Sequence, residues 1–271
     1  MARRILPGFV PTLSFALAYL TLLVVLPLGA CILKASTLTW PTFSRAVWNE
    51  RALAAYALTF GASFVAALVS VGLGLLVAWV LVRYQFPFRR LFDSLVDLPF
   101  ALPTAVAGLV YSSLYVETGW LGQFLVPLGI HGAYSRLGIV LVLTFVGFPF
   151  IVRTVQPILE SLEGEIEEAA MVLGASKAQT FWRVILPSLF PALVTGFALA
   201  FARALGEYGS VVFISGNMPM RTEIAPVLIV ARLEEFAYGE ATAVAVVLLA
   251  GSFTLLILIN FLDRWCKRYY A

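Results

Sequence analysis

The sequence predicts an all-α, polytopic membrane protein with six transmembrane helices, and three observations carry that prediction. First, of 271 residues, 61% are hydrophobic and only 12% charged, whereas a soluble domain is typically ~45–50% apolar and ~25% charged. Second, six stretches are long enough to cross a bilayer, which takes about 20 apolar residues each. They are roughly Phe9–Leu33, Tyr56–Val82, Leu95–Tyr115, Leu137–Leu159, Ser188–Phe213 and Ala241–Leu262. Third, Lys and Arg crowd into alternate connecting segments, the bias that orients membrane helices. With no linker or internal repeat, the chain reads as one domain over residues 1–271. The net charge of +3 is accounted for by topology and gives no reason to expect nucleic acid.

The first span follows Arg3 and Arg4, which hold the N-terminus inside. Near its outer end, Leu28-Gly29-Ala30-Cys31 resembles a lipoprotein cleavage box. The apolar run before it, about 24 residues, exceeds the 7–15 of a signal-peptide core, so cleavage is not expected. The outer loop Lys34–Ala55 carries Trp40 and Trp48 as interfacial anchors. The second span ends in a short basic inner loop, Arg83 to Arg90.

Pro99, Pro103 and Gly108 punctuate the third span, with Thr104 beside the second proline. A proline frees backbone groups and kinks a helix. Such a kink either lines a pathway, where freed N–H groups or a helix N-terminus meet an oxyanion, or only serves packing. Asp93 and Asp97, at the inner end, are expected to pair with Arg89 or Arg90. Ser112 and Ser113 are expected to bond their own backbone or a neighbouring helix. In the next outer loop, Val116–Arg136, His131 is the only histidine; without a nearby Cys or second His, no metal role is expected.

The fourth span leads into the one large cytoplasmic insertion, taken up below. On the fifth span Arg203 and Glu207 lie four apart and would share one helix face. Ionisable groups at membrane depth face an aqueous path or each other. Arg203 therefore either helps an anion past or is held in a packing ion pair. In the outer loop Ile214–Glu240, "IAPVLIVARLEEF" is apolar but too short to cross, and reads as a surface helix or a re-entrant piece. After the sixth span come Arg264, Lys267 and Arg268, with Trp265, Tyr269 and Tyr270 as inner anchors. Both termini are thus expected in the cytoplasm. Cys31 and Cys266 then lie on opposite faces and cannot form a disulfide.

The insertion contains "EEAAMVLGASKAQTFWRVILP", Glu167 to Pro187. Glu165, Glu167 and Glu168 suit a helix N-terminus, Ala169 and Ala170 continue the helix, and Gly174 ends it as a C′ glycine. Ser176 and Gln179 have capping-box spacing and start a second helix. Ala178, Phe181, Trp182 and Ile185 would share its apolar face, and Pro187 marks the exit into the next span. The 160–187 segment is therefore predicted to project two short helices about a glycine turn. Such a projection suits a groove on another protein, or the bilayer surface. Gly174→Leu is expected to abolish docking by filling the turn.

Glu168-Ala169-Ala170, Gly174, Val184 and Leu186-Pro187 are spaced as in the loop signature of binding-protein-dependent ABC importer permeases, with Val184 where that family usually has Ile. The segment resembles the family's coupling helix, which implies a MetI-like fold. The resemblance also implies that Glu167, Glu168, Ala169, Ala170, Gly174, Ser176, Phe181, Trp182, Leu186 and Pro187 form the contact with a cytoplasmic ATPase. "LPFALPTAVAGL" (Leu98–Leu109), "VRTVQP" (Val152–Pro157) and "ARALGEYGSVVFISGN" (Ala202–Asn217) resemble the sulfate/thiosulfate importer permeases, T-type branch, over nearly the whole chain. Molybdate permeases, usually homodimers, share the "LGE(Y/F)G" region, so a molybdate or tungstate importer is the alternative.

The resemblance implies a second, related permease, two ATPase subunits and an extracytoplasmic sulfate-binding protein, all at a bacterial inner membrane. It places Pro99, Pro103, Thr104, Arg203 and Glu207 as candidates for the translocation pathway. The chain has no G-x-x-x-x-G-K-[ST] phosphate loop, so no cofactor is expected in it and Mg-ATP is expected on the partner. No Ser-His-Asp or Cys-His constellation argues for an embedded enzyme. A stand-alone channel or secondary carrier would have no use for a docking loop.

Overall fold

The computed structural model describes the backbone of residues 8–162, 168–170 and 172–270, and the side chains among these up to residue 261. The described residues form helices and turns, with no strand. In order these are α1 (Phe9–Ser36), α2 (Trp40–Val47), α3 (Glu50–Arg83), α4 (Arg89–Val96), α5 (Leu98–Ala101), α6 (Thr104–Tyr115), α7 (Gly122–Leu125), α8 (Arg136–Ser161), α9 (Lys177–Leu205), α10 (Val211–Ile214), α11 (Ala225–Glu234) and α12 (Tyr238–Tyr270). Five of them, α1, α3, α8, α9 and α12, are long and apolar enough to cross a membrane.

The third expected span differs from the sequence reading. Leu95–Tyr115 is not one kinked helix but parts of α4, α5 and α6 in succession. Leu102 is extended (φ −82°, ψ 128°), because the residue before a proline is pushed out of the helical region. Pro103 then caps α6 without supplying a side-chain hydrogen bond. The fifth span also ends earlier than expected. Helix α9 stops at Leu205 with Gly206 as its cap, and 206–210 turns into α10.

Helices α3, α8 and α9 form the centre of the bundle. Asn49 caps α3 by accepting the Ala52 N–H at 2.8 Å, and Ser135 caps α8 by accepting that of Gly138 at 3.1 Å. The buried face of α3 is built from Ala52, Ala55, Ala62, Ala66, Ala67, Ser70, Gly74 and Ala78. Small residues let helices approach closely in an apolar solvent, where packing replaces the hydrophobic effect. At Gly74 the approach is so close that a Cβ would lie 2.5 Å from the Cβ of Ile151 on α8.

Helix α12 packs on α9 and α11, and "IAPVLIVARLEEF" forms a short helix with Ala225, Val227 and Leu228 buried in the bundle. Helix α1 buries only Ala35 and meets α12 through Leu26–Ser36. Both α1 and α9 contain a π turn, at Thr21–Val25 and Phe181–Ile185. Each runs directly into Leu-Pro, with Pro27 in one case and Pro187 in the other. A proline offers no N–H and clashes with the carbonyl four residues back, and a widened turn is one way to absorb both defects.

Candidate functional site

Three groups of residues at two ends of the bundle carry the chemistry. The first is the tip before α9. Glu167, one of the expected docking residues, lies outside the described residues, as does Glu165. Residues 168–170 and 172 are helical. The Ala175 N–H donates to the Ala170 carbonyl at 3.0 Å, and Gly174 has φ +84°. That is a helix stop with a left-handed C′ glycine. A Cβ on Gly174 would meet nothing within 4 Å, so the turn demands glycine for its backbone angle. The expectation that leucine would fill the turn is corrected by this open space.

The Ser176 capping box is complete: its N–H donates to Gln179 Oε1 at 2.8 Å, and its Oγ accepts the Gln179 N–H at 3.3 Å. The apolar face expected beyond it is divided. Ile185 is buried, and Phe181 turns inward to meet Trp79 of α3 edge-to-face at 5.5 Å. Trp182 alone of the large groups points outward, 66% exposed. Val172 and Leu173, not counted among the expected docking residues, are 86% and 88% exposed. The outward-facing tip is therefore Glu168, Ala169, Val172, Leu173, Gly174, Ser176 and Trp182, while Ala170, Leu186 and Pro187 are half-buried. The signal for Val172 and Leu173 was available: two bulky apolar residues directly before a C′ glycine in a charged segment.

The second group joins α4 and α8. Arg153 Nε and Nη2 donate to Asp97 Oδ1 and Oδ2 at 2.8 and 2.7 Å, and Nη1 donates to Asp93 Oδ1 at 2.7 Å. Further bonds reach the Asp93 carbonyl and Gln156 Oε1, both at 2.8 Å. The expected pairing of Asp93 and Asp97 with Arg89 or Arg90 is thus replaced by Arg153. Its planar fork reaches both acids at once.

The third group lies where α9 ends. Arg203 Nη1 donates to Glu207 Oε2, as the four-residue spacing suggested. Glu207, however, stands past the end of α9. Its other oxygen accepts the Ser210 N–H at 3.0 Å and the Ser210 hydroxyl at 2.9 Å. The carboxylate thereby holds Ser210, the residue that precedes α10, a further role that the sequence reading missed. Glu207 is 2% exposed and the Arg203 side chain 36%.

The segment around it is clamped on α6. A Cβ on Gly209 would lie 2.4 Å from Thr104 Oγ1, and one on Gly108 would lie 2.2 Å from the Ser210 carbonyl oxygen. The structure thus brings Thr104, Arg203 and Glu207 into one neighbourhood, with Pro103 exposed beside Thr104. Pro99 is buried in the break between α4 and α6. Ser113 bonds its own helix at the Leu109 carbonyl and Ser112 reaches Tyr134.

At the same end, Arg51 makes a bidentate pair with buried Glu223, at 2.8 and 2.7 Å. Thr59 Oγ1 accepts the Ala225 N–H at 2.8 Å. These bonds pin the loop before α11 onto α3. Among the described residues no group of three or more His, Cys, Asp or Glu side chains could hold a metal ion.

Residues 70–268 match the protein family described as binding-protein-dependent transport system inner membrane component, and the chain belongs to that family. It is 51% identical over 251 residues to the sulfate transport system permease protein CysT of Synechocystis sp., covering 93% of this chain and 88% of that protein. It is 49% identical to CysT of Salmonella typhimurium, covering 97% and 95%. Among solved structures, a bacterial ABC transporter involved in the import of the acidic polysaccharide alginate superposes with a TM-score of 0.77 at 17% identity, covering 94% of each chain. The inward-facing MetNI methionine ABC transporter gives 0.54 at 20% identity, covering 86% of this chain and all of that one. At those identities the two structures establish the fold.

Proposed function

We propose that the chain is one of two permease subunits of an ATP-driven importer that carries sulfate, and on the same path thiosulfate, into the cytoplasm. The observation that carries this reading is identity near one half, over nearly the full length, to proteins named as sulfate permeases. In this reading the termini and the tip face the cytoplasm, in line with the Lys and Arg bias. Val172, Leu173 and Trp182 insert in a cleft of a partner ATPase, with Glu168, Ala169, Gly174 and Ser176 shaping the turn. Phe181, Leu186 and Pro187 transmit its movement to α3 and α9. Mg-ATP is bound by that partner, and a loaded binding protein delivers the anion to the opposite face.

Closure of the ATPases moves the tips, the two bundles rock, and the anion passes the end of α9. There Arg203 offers a cation that Glu207 already half-neutralises. A pathway should hold its cargo weakly, and a shared charge achieves that. Thr104 and Pro103 line the same stretch, where Pro103 sets the break at Leu102, and Pro99 lies buried in α5 just before it.

The test is uptake of labelled sulfate by the complex purified from its native membrane, with its subunits identified. ATP-dependent uptake that thiosulfate competes away and molybdate does not is the expected result. Preferential competition by molybdate, in a complex with a single kind of permease, would sink the sulfate assignment.

A further inference from the structure

Two cavities adjoin where the last turns of α3 meet α4 and α8, with Leu81 and Phe86 lining both. One, of about 390 Å³, is apolar, and Val80, Phe92, Leu95 and Phe148 line it. The other, of about 590 Å³, carries charges of both signs: Arg89 and Arg90 are its cations, Asp93 and Glu160 its acids. The acids are engaged elsewhere. Asp93 accepts from Arg153 at 2.7 Å, and Glu160 Oε1 accepts from the Gln156 amide at 3.2 Å. Neither Arg89 nor Arg90 forms an ion pair among the described residues. These two arginines open α4, whose start no side chain caps, and a helix N-terminus favours an anion. Two cations, a carboxylate and an adjoining apolar wall complement a zwitterionic amphiphile better than a simple anion.

We propose that the paired cavities bind an aminophospholipid, with its phosphate at Arg89 and Arg90, its ammonium at Glu160 and an acyl chain in the apolar cavity. The level is that of a headgroup. The 34-residue apolar helix α3 ends at Arg83, just past the shared Leu81, and basic side chains at the end of a span meet lipid phosphates. A primary ammonium donates N–H bonds to a carboxylate, which the methylated nitrogen of choline cannot do. The site also touches the clamp between α4 and α8. Gln156 links Glu160 to Arg153, and Arg153 holds Asp93 and Asp97. A lipid seated here bridges the two helices across that clamp. The proposal rests on the orientation given above only for the choice of leaflet.

The complex extracted from its own membrane can be exchanged into phosphatidylcholine nanodiscs and titrated with phosphatidylethanolamine. Lipid retained on this subunit is then read by native mass spectrometry. Phosphatidylethanolamine should be retained severalfold over phosphatidylcholine, and Glu160→Gln should abolish that preference. Arg89→Gln and Arg90→Gln should each weaken retention about fivefold, the effect of one cation beside a lipid phosphate. Arg183→Gln, which removes a cation of α9 outside both cavities, should leave it unchanged. Glycerophosphoethanolamine, the headgroup without its chains, should fail to compete. No retained lipid, retention of phosphatidylglycerol over phosphatidylethanolamine, or a preference that survives Glu160→Gln overturns the proposal, as does full competition by the chainless headgroup. The readout involves no sulfate, so its failure and the failure of the importer reading are distinct results.

Discussion

Gly174 and Arg153 carry opposite kinds of constraint. Gly174 stands in open space at φ +84°, where an L-residue costs roughly 1–2 kcal/mol. Size should matter little and backbone preference much. Gly174→Ala and Gly174→Leu are therefore expected to lose co-purifying ATPase to a similar degree, and Gly174→Asn less, because Asn tolerates the left-handed region. A pull-down series checks this; a leucine variant far worse than alanine would mean that the partner closes on the turn. Arg153 is constrained by partners instead. Its bonds to Asp93, Asp97 and Gln156 are irreplaceable by an ammonium, which cannot present two forked faces. Arg153→Met should cost roughly 1–3 kcal/mol, since both acids keep contact with water, and Arg153→Lys should rescue little of it. The thermal midpoint of the purified complex in detergent reads both. The sequence did not point to Arg153 as the partner of the two acids, because the 56 residues separating it from Asp97 hide a contact that only the folded bundle makes.

Among the elements, those set by local rules were legible and those set by a neighbour were not. The Ser176 box, the Gly174 stop and the four long central and terminal helices follow from spacing and hydropathy, and they stand where the sequence put them. The division of the second tip helix was not legible. The pattern from Ala178 to Ile185 treats neighbours such as Phe181 and Trp182 as sharing one face, whereas consecutive helical residues point about 100° apart, and the π turn at Phe181–Ile185 departs from the regular helix that the pattern assumes. The third span shows the same lesson. Its prolines were visible, but a bend and a break look alike until Leu102 is seen extended. Pro103→Ala frees Leu102 to become helical, so α5 and α6 can fuse. The end of α6 that holds Gly209 and Ser210 would then move. Sulfate uptake is expected to fall several-fold while the complex still assembles; unchanged uptake would place this break outside the pathway.

At the scale of the whole molecule, the question is where the work comes from. The cargo in the proposed reading is a dianion entering a cell whose interior is negative. Each charge costs about 2.3 kcal/mol per 100 mV, so a dianion faces about 5 kcal/mol before any concentration gradient. The sequence has no phosphate loop, and the arginine near the end of α9 is already paired with Glu207. In the proposed reading the bundle contributes a change of shape: its centre is close-packed on small residues such as Gly74 and Gly196, and its exposed tip is where a partner would pull. Proteoliposomes holding this permease and its partner permease, without ATPase, should therefore pass sulfate only down its electrochemical gradient, if at all. The complete complex should accumulate it against an inside-negative potential, and lose that ability when ATP is withheld. Accumulation without ATP, driven by a proton or sodium gradient, would make the tip irrelevant to transport and return the chain to the secondary carriers.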